Sequence, residues 1–198
     1  MQTEVSRRGV LAMTGGLITA GAKPVSSQTA AFLKAAHRQT QRWVWYDAAY
    51  TSIPYPNGDV AQDHGVCADV VIRAYRGIGI DLQRLVHEDM QAHFDLYPQR
   101  WGQPGPDSNI DHRRVPNLRV FFARFGIQRP ISGTGLDYLP GDILTTLPGG
   151  RPHISIVSDH RAWFGTGDPM VIQNAGFGTR EDNDLFRYPI TGHYRYAI

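Results

Sequence analysis

The apolar residues of this chain change period near Gly126, and that change limits the fold more than any other feature of the sequence. Before it they recur at helical spacing. After it they fall in short runs rich in Ile, Val, Thr and Tyr, each set off by Gly, Pro or Asp. Helices first and strands afterwards give an α+β domain, with N-terminal helices packed on one side of a small antiparallel β-sheet. The first helix is expected from Gln28 to about Tyr50, with Phe32, Ala35, Ala36, Trp43 and Tyr46 on one face and Pro54 beyond its end. The second, Val66 to Ile78, carries Cys67, Val70, Val71, Ala74 and Ile78 as one stripe. The third begins after Asp81, an N-cap, and aligns Leu82, Leu85, Val86, Met90 and Phe94 before Pro98 stops it. A proline-rich loop leads to the fourth, with Pro116 near its start, Leu118, Phe121, Phe122 and Phe125 inward, and Gly126 as breaker. Strands are expected over 142–147, 152–158, 170–174 and 193–198. The first two form a hairpin through Pro148-Gly149-Gly150-Arg151.

The N-terminus has the order of an export signal. Ser6-Arg7-Arg8-Gly9-Val10-Leu11 holds a twin-arginine pair, a moderately apolar run follows, and Ala20-Gly21-Ala22 supplies a small-residue cleavage site. Residues 1–22 are therefore expected to be a Tat (twin-arginine) signal peptide. Residues 23–198 form a single domain in the periplasm or outside the cell, expected to be monomeric. The apolar run is too short and too interrupted by glycine to remain in a bilayer, so no stable membrane insertion is expected after signal removal. A formal net charge of +2 and the lack of a basic stripe leave no electrostatic case for nucleic acid. Arg113-Arg114, the tightest basic cluster, reads as a solvated surface pair, and Asp69 with Arg73 as an ion pair one helical turn apart.

Cys67 is the only cysteine. An exported chain that keeps one unpaired thiol needs a reason for it, because oxidising compartments favour paired cysteines or none. Burial in the core is one reason. Chemistry is another, since a helix N-terminus favours the thiolate and Cys67 opens the second helix. A nucleophilic thiol needs a base brought from elsewhere in the chain. Of eight histidines, His153 is distinctive because it opens the strand His153-Ile154-Ser155-Ile156-Val157. A polar group should then hold its second ring nitrogen. If 152–158 and 169–174 pair antiparallel, Gln173 or Asn174 comes opposite His153, and strand alternation lets one of them face it.

Tyr55-Pro56-Asn57-Gly58, Gly65-Val66-Cys67 at a helix start, Leu139-Pro140-Gly141-Asp142-Ile143-Leu144, Pro152-His153-Ile154-Ser155-Ile156-Val157 and Val171-Ile172-Gln173 recur in an order that resembles NlpC-like cell-wall peptidases, which are papain-like cysteine hydrolases. Tyr55 precedes Cys67 by the twelve residues typical of that family. The closing segment, Asp184-Leu185-Phe186 and Thr191-Gly192-His193-Tyr194-Arg195-Tyr196, is similar to the exported bacterial family called domain of unknown function 1287. The resemblance implies a papain-like NlpC-type fold, Cys67 as nucleophile, and His153 as general base and acid. It implies Gln173 as the orienting group, with Asn174 as the alternative, and Tyr55 with the Cys67 backbone N–H at the oxyanion. It also implies hydrolysis of amide bonds in peptidoglycan stem peptides, with no cofactor and no metal. The residues flanking Cys67 differ from the family pattern, with Val66, Ala68 and Asp69 where Asp, Ser and Gly are usual.

Two other outcomes fit the same scaffold: a catalytically silent module that binds the cell wall, and a thiol acyltransferase that passes the acyl group to an acceptor other than water. A metallohydrolase built on His64, His112, His153 and nearby aspartates lacks H-x-x-x-H or comparable spacing.

Overall fold

The computed structural model describes residues 25–198, so the signal peptide expected over 1–22 lies outside the described residues. Helix α1, Ser27–Arg38, starts at Ser26, whose Oγ accepts from the Thr29 backbone N–H at 3.0 Å. It buries Phe32, Leu33, Ala35 and Ala36. The helix ends well before Tyr50. The run Trp43-Val44-Trp45-Tyr46 is aromatic and β-branched, a composition that favours extended backbone. Strand β1, Trp45–Tyr46, pairs in parallel with β2, His64–Gly65. That ladder removes Tyr46 from the helical face on which its spacing had placed it.

Helices α2 (Cys67–Arg76), α3 (Leu82–Ala92) and α4 (Val115–Phe125) fall where the apolar stripes predict. Asp81 caps α3 by accepting from the Gln83 N–H at 3.0 Å, though α3 ends at Ala92 and a short 3-10 turn carries the chain toward Pro98. Phe125 is exposed, contrary to expectation, while Phe121 and Phe122 are buried.

Six antiparallel strands follow: β3 (Ile127–Gln128), β4 (Ile143–Thr146), β5 (His153–Arg161), β6 (Pro169–Asn174), β7 (Thr179–Asp182) and β8 (Ile190–Arg195). Their order across the sheet is β3-β8-β4-β5-β6-β7. The β4–β5 hairpin runs through residues 148–151 as expected. Strand β7 was not expected, because Thr179-Arg180-Glu181-Asp182 has no apolar alternation; it is held by the ladder it makes with β6 at the sheet edge.

The chain is thus an α+β domain. Ile143, Ile154, Ile156 and Ile172 face α1, α2 and α4 and meet Phe32, Val71, Tyr75, Leu118 and Phe122 in one core. Each fully buried side chain of this kind contributes about 1.5–3 kcal/mol. Leu144, Val157 and Val171 point the other way, where Tyr138 and Leu185 cover them.

Two charge pairings differ from expectation. Arg73 pairs with Asp59 at 3.0 Å rather than with Asp69. Asp69 is instead held by both arms of Arg113, each at 2.9 Å, with both side chains 3% exposed. Arg113 is therefore a buried strut and not a surface cation. Removing one partner of such a pair typically costs about 3–5 kcal/mol.

Candidate functional site

Cys67 is the first residue of α2 and is buried. The turn before it is fixed by Asp69, whose Oδ2 accepts from the Val66 N–H at 2.6 Å. The backbone N–H groups of Ala68 and Ile154 and the Tyr46 hydroxyl stand near the sulfur, where each acts to lower its pKa. These contacts and the helix start favour the anion. Burial outweighs them and, with the Asp69 carboxylate adding to it, pushes the thiol up to about 11. The lowered pKa expected from the helix start is overturned, because desolvating a sulfur anion costs more than these N–H groups return. Cys67 is a thiol at neutral pH. Burial, then the neighbouring Cys67, push the Tyr46 phenol up to about 12, so it too keeps its proton and is able to donate it in a hydrogen bond.

Ile154, whose N–H meets the sulfur, follows His153 directly in β5. The His153 ring lines a cleft of about 450 Å³ together with Tyr46, Arg151, Gln173, Arg180 and Arg187. His153 Nε2 is 2.8 Å from Gln173 Oε1. The orientation of that amide is set by its far end: Gln173 Nε2 donates to Asp182 at 3.2 Å and to Asp184 at 3.1 Å. An amide whose NH₂ faces two carboxylates presents only its oxygen to the imidazole. The proton of a neutral His153 therefore sits on Nε2, and Nδ1 keeps its lone pair. Burial lowers the His153 pKa from its ordinary value, against the Gln173 hydrogen bond and the Asp184 charge, so the ring is neutral near pH 7.

The strand register shows why Gln173 and not Asn174 meets the histidine. Ile156 pairs with Ile172, which puts 153 and 173 on one face of the sheet and Asn174 on the other. Asn174 is fully buried and donates to the Gly65 carbonyl at 3.3 Å, bracing the turn before Cys67. Tyr55 is not at the thiol. Its ring packs edge-on against His87 at 5.1 Å, and its charged neighbours are Glu88, Arg84 and Asp81 on or beside α3.

Sequence reasoning missed Tyr46, Asp182 and Asp184. Tyr46 was assigned to a helical face, although its aromatic and β-branched neighbours were a signal for extended chain. The two aspartates lie on or after a strand with no apolar signature. Among the described residues His64, His112 and His153 do not assemble: His64 pairs with Asp63 at 3.0 Å, and His112 is buried, its pKa pushed down to about 3 chiefly by desolvation.

An α+β domain with a buried thiol at a helix start and a carboxamide-held histidine in the adjoining cleft is the class that fold and site define. The family model described as Domain of unknown function (DUF1287) matches residues 33–196, and the chain belongs to that family. Over 164 residues it is 51% identical to the uncharacterized protein YijF of Escherichia coli (strain K12), which covers 82% of this chain and 79% of that protein. No solved structure matches it.

Proposed function

We propose that this protein is an exported cysteine hydrolase of papain-like NlpC type that cleaves amide bonds in peptidoglycan stem peptides. The observation that carries this reading is the His153–Gln173 pair, which leaves a neutral imidazole with a free basic nitrogen in a cleft also lined by Tyr46, the phenol that neighbours the Cys67 sulfur.

In the reaction, His153 Nδ1 takes the Cys67 proton as the sulfur attacks the substrate carbonyl, which becomes a tetrahedral oxyanion. The Tyr46 hydroxyl and the helix-start N–H groups donate to that oxygen, the role expected of Tyr55 on sequence grounds. Collapse breaks the C–N bond, the imidazolium returns its proton to the leaving amine, and a thioester remains on Cys67. His153 then deprotonates a water that attacks the thioester, releasing the carboxylic acid and the thiol. Because both groups are neutral at rest, proton transfer accompanies attack. Arg151, Arg180 and Arg187 around the cleft suit a peptide that carries carboxylates. Arg187 is shared with Asp184 at 3.3 Å and Arg180 with Asp182 at 3.5 Å, whereas Arg151 has no such partner among the described residues.

Mass spectrometry of muropeptides incubated with the purified protein tests the reading. New amide-cleavage products are expected from the native chain and none from Cys67→Ala; equal cleavage by the variant would overturn it. The high pKa of the buried thiol favours a second reading, a wall-binding module that does no chemistry. That reading predicts retention on sacculi by both proteins with no new product from either. Acyl transfer to an added amine, in place of hydrolysis, would mark a transferase.

A further inference from the structure

We propose that His37, Asp159 and His160 bind one divalent transition-metal ion of the zinc class, at a site separate from the thiol cleft. These side chains come from the last turn of α1 and the far end of β5, and they each offer a ligand atom within 4.8 Å of the others. His37 Nε2 already lies 2.8 Å from Asp159 Oδ1, and the two imidazole rings are 4.8 Å apart. Two imidazoles and a carboxylate are a borderline donor set that suits Zn²⁺ and its neighbours over Ca²⁺ or Mg²⁺.

Consecutive residues of a regular strand point to opposite faces, so Asp159 and His160 should not share a ligand. Their ligand atoms come together here because the β5–β6 register shifts between Val157 and Arg161, and an irregularity of this kind re-aims a side chain. A further contact completes the arrangement. His160 Nδ1 is 3.0 Å from Glu181 Oε2, which leaves Nε2 as the nitrogen free to ligate, and Ser158 holds the other Glu181 oxygen. A carboxylate behind a ligating histidine is the usual means of fixing its ring and raising its basicity.

Donor atoms in a tetrahedral zinc shell are about 3.4 Å apart for bonds of about 2.1 Å. Rotation of the exposed Asp159 side chain and a small shift of His160 that keeps its Glu181 contact would close the difference, with water in the fourth position. Asp159 lies six positions beyond His153 in the strand, about 20 Å along the chain, so this ion would not touch the thiol chemistry. Its effect would be to clamp α1 to the sheet.

Titration calorimetry of the full chain, purified without a histidine tag, tests the site with ZnCl₂ alone. One equivalent is expected to bind in the micromolar range and to raise the thermal midpoint, reversibly on adding EDTA. His37→Ala and His160→Ala should each weaken binding by more than tenfold, and Glu181→Gln by about tenfold. His93→Ala, which removes another exposed histidine beside an aspartate, should leave binding unchanged. No saturable zinc binding, or full affinity in both His37→Ala and His160→Ala, would overturn the proposal and leave an ordinary histidine–carboxylate pair. None of these readouts depends on hydrolysis.

Discussion

His153 and His193 are both buried histidines of one sheet, and each is held at Nε2 by a side chain 2.8 Å away. Their surroundings differ in two respects. His153 meets the neutral amide of Gln173, and its Nδ1 makes no hydrogen bond among the described residues. His193 meets the Asp142 carboxylate, which also takes Arg195 at 2.7 Å, while its Nδ1 is tied to the Pro130 carbonyl at 2.9 Å and its ring stacks on Tyr138 at 4.6 Å. Burial alone does not mark a working histidine. On the proposed reading an uncommitted nitrogen opening on a cleft does, because a ring with both nitrogens tied to protein groups has none left to face a thiol or substrate.

Substitution of each histidine gives the strongest test of that contrast. His153→Ala should lower kcat/KM for muropeptide cleavage by about 10³-fold while the thermal midpoint stays near that of the native chain. His193→Ala should do the reverse, losing about 3 kcal/mol in a denaturant titration, since Asp142 and the Pro130 carbonyl lose a buried partner, with turnover of the folded fraction little changed. Loss of activity without loss of stability in His193→Ala would break the comparison.

The phenol at the thiol gives a smaller effect. Tyr46→Phe should reduce kcat by about 10²-fold, the usual cost of one oxyanion donor, whereas Tyr55→Phe should leave kinetics alone. Equal losses in the two would return the role to Tyr55.

The smallest effects sharpen the contrast between amide and carboxylate. Gln173→Ala should cost about tenfold in kcat/KM, the worth of one buried hydrogen bond. In the proposed reaction only neutral His153 accepts the thiol proton, and its pKa is lowered from 6.5, so native activity should hold through neutrality and fall only below pH 6.5. Gln173→Glu places a carboxylate where His193 has one. It should favour the imidazolium and move the acid limb upward by about one unit in a pH–rate profile. A limb that stays in place would separate the amide from the basicity of the ring.

The helical stripes and the helix-to-strand change were legible because each is a local pattern, and so were Cys67 at the start of α2 and His153 at the start of β5. The choice between Gln173 and Asn174 was not, since alternation admits one of them but the pairing of Ile156 with Ile172 decides which. Tyr46 was hidden because its spacing also fits a helix, and only pairing with a segment distant in sequence holds it extended. Arg113 read as a surface cation because its buried partner, Asp69, lies 44 residues earlier. Each miss was settled by a contact that no window of sequence contains.

Gln173 and Asn174 are neighbours whose side chains leave β6 in opposite directions, one to the imidazole and one to the carbonyl just ahead of the cysteine. A single dipeptide thereby aligns both halves of the proposed centre. Point changes elsewhere in β6 leave that alignment intact, but an insertion or deletion of one residue would swap the two amides and spoil both alignments at once. Descent with modification in this family should therefore tolerate exchange of letters along the strand while preserving its length.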